Sequence, residues 1–135
     1  MPKFSNRSQV NLNSCHQDLQ LLFNEVIKYY DCTVIEGHRS NIRQDELYRS
    51  GQSKLKSGKS KHNKNPSLAV DVVPYKKTKP HIDWCDTTTF YHFVGYVKAT
   101  ADQLNIKIRC GADWDCDNNL HDQSFFDLPH FELKQ

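Results

Sequence analysis

The chain has 135 residues, of which 37% are hydrophobic and 25% charged, and its formal net charge is +2. This length fits one globular domain over residues 1–135, and the composition excludes both wholesale disorder and a lipid-facing surface. The mild positive charge is too small for a dedicated nucleic-acid binder, because such domains usually reach a pI above about 9.

The N-terminal third predicts one helix and one strand. Apolar residues recur at helical intervals over residues 15–30, where Asn13 or Ser14 can cap the first turn. A short β-branched run over residues 33–35 predicts a strand. It leads into Gly37-His38-Arg39-Ser40, a polar segment placed where the strand leaves the core.

The middle of the chain predicts a helix, a loop and a strand. The helix spans residues 41–50, and Gly51 is a natural stop signal. Residues 52–66 are polar and lysine-rich, which is typical of a solvated surface loop; contact with a polyanion is the alternative. A strand over residues 68–73 ends at Pro74.

The clearest helix is predicted over residues 90–104, where apolar residues repeat every three or four positions. Alternating patterns predict strands over residues 106–109 and 130–133, joined in a hairpin-like way by a loop over residues 111–129. The order of these elements predicts an α+β domain.

Targeting signals and a cysteine framework are both missing from the sequence. No segment approaches the roughly 18 apolar residues of a membrane span, and none resembles a signal-peptide core, so we expect cytoplasmic synthesis and no membrane insertion. The five cysteines include no C-x-x-C pair, which predicts mostly reduced thiols. Pairing of Cys110 with Cys116 is left open.

Polar residues stand apart from the apolar pattern at Ser60-Lys61-His62, Ala69-Val70-Asp71, Gly111-Ala112-Asp113-Trp114 and Asp127-Leu128-Pro129-His130. The two imidazoles of His62 and His130, with the Asp71 carboxylate, can bind Zn²⁺ and leave a fourth position for water. Asp127 lies three residues before His130, so one segment could deliver both a ligand and a base. Spacing alone leaves open that these are ordinary surface or core residues.

Asp127 and His130 can act together only if the strand between them is irregular. In a regular strand, positions three apart face opposite sides of the sheet. Pro129 fixes φ and lacks an N–H for the ladder, so we expect the Leu128–Pro129 step to break the pleat.

The motifs resemble the D-alanyl-D-alanine carboxypeptidase and L-alanyl-D-glutamate endopeptidase family of zinc peptidases, and most of all its phage endolysin branch. The family pattern of S-x-H, A-x-D and a late acidic residue three before His is matched by Ser60, His62, Ala69, Asp71, Asp127 and His130. The resemblance implies a small mixed sheet flanked by helices, a fold shared with the Hedgehog signalling domain. It also implies His62, Asp71 and His130 as zinc ligands and Asp127 as the catalytic acid and base.

Three further residues are candidates for substrate contact. The resemblance places Arg39 in a substrate-facing segment, so we expect it to stabilise the oxyanion, with an ordinary surface ion pair as the alternative. Ser60 either bonds the substrate or caps a turn. Trp114 either lines the peptide groove or belongs to the core.

Two features depart from the family pattern. His62 and Asp71 are nine positions apart, whereas the family usually places these residues seven positions apart. A loop two residues longer costs little closure entropy, so the ligands can still converge. Asp127 stands where the carboxypeptidases have glutamate. The shorter side chain favours an endopeptidase.

A second metal site is a hypothesis for the loop before Asp127. Asp113, Asp115 and Asp117 alternate and offer hard oxygen ligands of the kind that Ca²⁺ prefers. The glycine and glutamate of an EF-hand are missing, so the alternative is a solvated acidic loop.

These points predict a zinc peptidase of a phage lysis system that hydrolyses the L-alanyl-D-glutamate bond in the peptidoglycan stem. The alternatives are a D-alanyl-D-alanine carboxypeptidase of the same fold and a non-catalytic wall-binding module that keeps zinc only for folding. We expect a monomer without a nucleic-acid partner. It would be made in the host cytoplasm and would reach the wall after the membrane is permeabilised.

Overall fold

The computed structural model describes residues 2–134, which form a small four-stranded sheet with helices packed against it. The elements are α1 (Asn6–Asn13), α2 (Gln17–Val26), β1 (Cys32–Glu36), α3 (Asn41–Arg49), a 3₁₀ turn (Lys61–Asn63), β2 (Ala69–Pro74), α4 (Thr87–Gln103), β3 (Ile108–Gly111) and β4 (Asp127–Leu133). The strands lie in the order β1-β2-β4-β3, and each neighbouring pair is antiparallel. The predicted α+β class is confirmed. Within these residues, no helix has the length and apolar character needed to cross a bilayer.

Aromatic packing fixes which face of β4 is turned to the core. Phe131 of β4 packs edge-on against Phe23 of α2 and Phe93 of α4, with ring centroids 5.4 and 6.2 Å apart. Burial of each such side chain contributes about 1.5–3 kcal/mol. Because successive strand residues face opposite sides, His130 and Glu132 are placed on the face away from this core.

The N-terminal region differs from the prediction of one helix over residues 15–30. The structure has two shorter helices there, and α1 escaped prediction because it buries only Ser8 and Leu12. The second helix begins after His16, whose Nδ1 accepts a hydrogen bond from the Asp18 N–H at 3.0 Å. A histidine is an unusual N-cap, so this helix boundary has little local signal in the sequence.

The remaining predicted elements are confirmed, and none of their ends is shifted by more than three residues. Helix α4 begins early because the Asp86 carboxylate accepts hydrogen bonds from the N–H and the hydroxyl of Thr89. All five cysteines are free thiols, so the pairing of Cys110 with Cys116 is not formed.

Candidate metal centre and active site

The three predicted zinc ligands come together on the sheet face away from the core that β4 forms with α2 and α4. His62 Nε2 lies 3.2 Å from Asp71 Oδ1, and His130 Nδ1 lies 3.3 Å from the same oxygen. One potential ligand atom from each residue lies within 4.8 Å of the other two. The 3₁₀ turn supplies His62, while the pairing of β2 with β4 sets Asp71 opposite His130.

Hydrogen bonds to the far side of each imidazole show that the site fits a zinc ion. His62 Nδ1 lies 2.8 Å from the Gly37 carbonyl oxygen, and His130 Nε2 lies 2.8 Å from Glu132 Oε1. An N–H at these two positions leaves the opposite nitrogen lone pairs directed at Asp71. Metal-bound histidines are generally oriented in this way by a carbonyl or carboxylate. Two neutral imidazoles and one carboxylate suit catalytic Zn²⁺.

The electrostatics of the site favour a positive charge between its carboxylates. Burial acts to raise the pKa of Asp71, but hydrogen bonds from His130 and His62 hold it well below its usual range. Burial acts to lower the pKa of His130, but hydrogen bonds to Asp71 and Glu132 raise it to about 9. A divalent cation supplies the same positive charge when it binds in place of protons.

Glu132 belongs to the site, although the sequence motifs did not predict a role for it. It is 4% exposed, and its Oε2 lies 3.1 Å from Lys61 Nζ and 3.0 Å from Arg109 Nη2. Through Lys61 it joins β4 to the 3₁₀ turn that carries His62. Residues two apart on a strand point to the same face of the sheet, so the spacing of Glu132 from His130 was the sequence signal for its place in the site. The prediction of a solvated loop over residues 52–66 is therefore wrong for Lys61, which pairs with Glu132.

Ser60 caps the turn that presents His62. Its Oγ accepts a hydrogen bond from the His62 N–H at 3.1 Å, and its own N–H donates to Asn63 Oδ1 at 3.2 Å. Asn63 in turn donates to the Arg39 carbonyl at 3.0 Å. Of the two roles considered for Ser60, these contacts are those of a cap.

Arg39 lies beside the metal centre, with only 10% of its side chain exposed. Its guanidinium donates to both carboxylate oxygens of Glu36, at 2.6 and 3.0 Å, and to Gln44 Oε1 at 2.8 Å. Its Nη2 is 3.9 Å from Asp71 Oδ2. Arg39 is thus a fixed positive charge next to a predicted ligand, unlike the ordinary surface ion pair considered as its alternative.

A break in the ladder between β3 and β4 allows Asp127 and His130 to serve one site. Cys110 pairs with Phe131 but Gly111 pairs with Asp127, so β4 runs through Leu128, Pro129 and His130 while β3 makes a single step. This confirms the predicted break in the pleat. Burial raises the pKa of Asp127 and nearby Asp71 raises it further, against the opposite effect of His130, His62 and Arg39. A raised pKa suits a group that must both take and return a proton.

Gly111 is required by this pairing. A Cβ at position 111 would overlap the carbonyl oxygen and carbon of Asp127 and crowd its Cβ. Only glycine lets the two backbones approach so closely. The residue that opens the loop therefore also positions the candidate base at its end.

Trp114 is next to the site, whereas Trp84 is 57% exposed and stacks on Phe90. The Trp114 ring centroid lies 5.5 Å from that of His130 and 5.9 Å from that of Phe125, with 10° between the Trp114 and Phe125 planes. Its Nε1–H donates to the Phe125 carbonyl at 3.1 Å. These contacts hold the indole as one wall beside His130.

The acidic loop gathers carboxylates as the sequence suggested. Asp113, Asp115 and Asp117 each offer an oxygen within 4.8 Å of the others. Asp113 is 1% exposed, and its Oδ1 finds no hydrogen-bond partner in the part of the chain that is described. A hydrogen bond with Asp117 raises the pKa of Asp122 to about 6. Lys98 Nζ lies 3.3 Å from Asp113 Oδ2, so one cation of the chain already offsets part of this negative charge.

Comparisons with known proteins identify the family of the chain. The family model described as phage L-alanyl-D-glutamate peptidase matches residues 1–134. The L-alanyl-D-glutamate peptidase of Escherichia phage T5 is 31% identical over 137 residues, covering 97% of each chain. The crystal structure of the Serratia marcescens L-Ala D-Glu endopeptidase ChiX matches with a TM-score of 0.76 and 27% identity, over 98% of this chain and 90% of that chain. The chain therefore belongs to the phage L-alanyl-D-glutamate peptidase family.

Proposed function

We propose that the chain is a single-domain, zinc-dependent endolysin that hydrolyses the L-alanyl-D-glutamate bond of the peptidoglycan stem. The observation that carries this proposal is the convergence of His62, Asp71 and His130 beside Asp127. The names of the phage T5 and Serratia marcescens relatives supply the bond.

The chain's own residues divide the chemistry between them. His62, Asp71 and His130 would hold zinc, which polarises a peptide carbonyl and acidifies a water molecule. Asp127 accepts the proton of the attacking water at its carboxylate and then donates it to the nitrogen of the leaving amine.

The residues around the ligands orient the reaction. Arg39 places a fixed positive charge beside Asp71, where negative charge develops on the carbonyl oxygen. Trp114 provides an apolar wall against which the stem peptide lies. Ser60 acts through His62, whose backbone it caps.

Two other functions make different predictions. A D-alanyl-D-alanine carboxypeptidase would release only D-alanine, and both named relatives are instead peptidases of the alanyl-glutamate bond. A wall-binding module would need zinc only for folding. Such a module has no use for a half-buried carboxylate like Asp127 beside its ligands.

Digestion of purified peptidoglycan followed by mass spectrometry tests the proposed function. Zinc-loaded protein should release peptides that begin with D-glutamate and leave L-alanine on the glycan, whereas chelator-treated protein should release none. Release of D-alanine alone would establish the carboxypeptidase. No cleavage of walls from several chemotypes, at one zinc per chain, would establish the binding module.

The site of action follows from the substrate. We propose that the chain works as a monomer on the wall after a separate protein has permeabilised the membrane. It would itself neither insert into the membrane nor bind nucleic acid.

We also propose that Ca²⁺ binds Asp113, Asp115 and Asp117, because the buried Asp113 Oδ1 has no other partner among residues 2–134. Free Ca²⁺ at ten times Kd should stabilise the protein by about 1.4 kcal/mol, or roughly 5 °C in Tm. Thermal unfolding with and without Ca²⁺ measures this shift. Asp113→Asn should abolish it and Asp102→Asn, an exposed control on α4, should keep it. An equal shift in both variants would rule the site out.

A further inference from the structure

This inference rests on the proposed function and concerns the substrate on the amine side of the cleaved bond. Glutamate has two carboxyl groups, and only one of them can continue a peptide chain. A peptidase that cuts before a glutamyl residue therefore meets a second carboxylate on that same residue, unless this carboxyl group is amidated. A cation within reach of the site would recognise it.

Most cations around the metal centre already have a carboxylate partner. Arg39 pairs with Glu36, and both Lys61 and Arg109 pair with Glu132. Across residues 2–134, Lys54 forms no ion pair with any carboxylate. Its ammonium nitrogen instead lies 4.6 Å from the centre of the Phe125 ring.

The residues on both sides of Lys54 are hydrogen-bonded to Gln44, which contacts Arg39 beside the metal centre. Gln44 is fully buried, and its Nε2 donates to Ser53 Oγ at 2.9 Å and to the Leu55 carbonyl at 2.7 Å. The same Gln44 side chain accepts a hydrogen bond from Arg39. Lys54 is thus presented at a fixed point of the rim, although its own side chain is exposed.

The Phe125 ring beneath Lys54 is connected to the predicted zinc ligand His130 through Trp114. Phe125 stacks on Trp114, and Trp114 contacts His130. Phe125 is 47% exposed, so the ammonium above it is open to solvent. A cation over an exposed aromatic face is held weakly, and a lysine on its flexible stem can exchange that contact for a carboxylate.

We propose that Lys54 binds the free carboxylate of the D-glutamyl residue and is a specificity-determining residue of the enzyme. The contact requires charge on the substrate. The enzyme therefore prefers stems that carry D-glutamate over stems in which this carboxyl is a carboxamide.

The test compares two purified muropeptides that differ only in this group, carboxylate or carboxamide. Wild-type protein should cleave the carboxylate form with a kcat/KM about fivefold higher, the range of one exposed ion pair. Lys54→Met should lose this preference by raising KM for the carboxylate form while leaving the carboxamide form unchanged. Lys54→Arg should keep the preference.

Lys56→Met is the matched control, because Lys56 lies in the same loop over Tyr48 at 5.4 Å. It should retain the wild-type preference. Equal kcat/KM losses on both substrates in Lys54→Met, or an unchanged preference, would overturn the proposal while leaving the peptidase function intact. A wild-type protein that cleaves neither muropeptide would overturn the proposed function itself.

Discussion

Replacing Asp127 with asparagine is expected to lower kcat by about 10²–10⁴-fold, the usual contribution of a positioned acid or base. The amide has nearly the shape of the carboxylate but cannot accept the proton from the attacking water. Zinc content should stay at the wild-type level, because the three predicted ligands do not include Asp127. Steady-state kinetics on a muropeptide, with zinc per chain measured by elemental analysis, give both quantities.

The pH profile separates this role from a structural one. The base must be deprotonated, so kcat/KM falls as the pH drops through the pKa of Asp127. Burial raises that pKa, which places the acidic limb above the value of about 3.9 for an ordinary aspartate. Asp127→Asn should abolish the limb and Asp102→Asn should keep it. A kcat within tenfold of wild type would show that Asp127 is not the base.

Replacing His62 with alanine is expected to abolish both zinc binding and activity. In wild-type protein, zinc at a hundred times its Kd should add about 2.7 kcal/mol of stability, which corresponds to roughly 10 °C in Tm. The variant should show no such shift, since two remaining ligands hold the ion poorly. Thermal unfolding of metal-free protein, with and without added zinc, measures the difference without relying on activity.

His92 provides the control for this experiment. It is an exposed histidine of α4 that bonds Tyr30 and lies outside the metal group. His92→Ala should keep the full zinc shift. If zinc stabilised His62→Ala as much as wild type, the ion would be bound elsewhere.

The parts of the fold that the sequence predicted are those with strong local signals. Helix α4 and strands β2 and β4 bury regular apolar patterns. Pro129 predicted the irregularity of β4 before His130. Helix α1 has no apolar stripe of this kind. Its start is capped locally by Ser5, whose Oγ accepts a hydrogen bond from the Ser8 N–H at 3.2 Å, but no regular apolar pattern follows this cap.

The candidate site was predictable where residue type and motif coincide, as at His62 and Asp71. The partners of these residues were harder to predict, because they are distant in sequence. Glu132, Gln44 and Lys54 gain their roles from contacts across the sheet and between loops. The need for glycine at position 111 comes from the close approach of the Asp127 backbone, which no local sequence pattern indicates.

The Gly111–Asp127 pair also makes residues 112–126 a cassette. Both ends of this segment are fixed by the sheet, and Ala112 and Asp113 are buried, so the length and composition of the rest can change without moving strand register or the three predicted zinc ligands. The segment carries Trp114, Phe125 and the acidic cluster. Exchanging it between related endolysins would make chimeras with a retained catalytic core and altered wall preference.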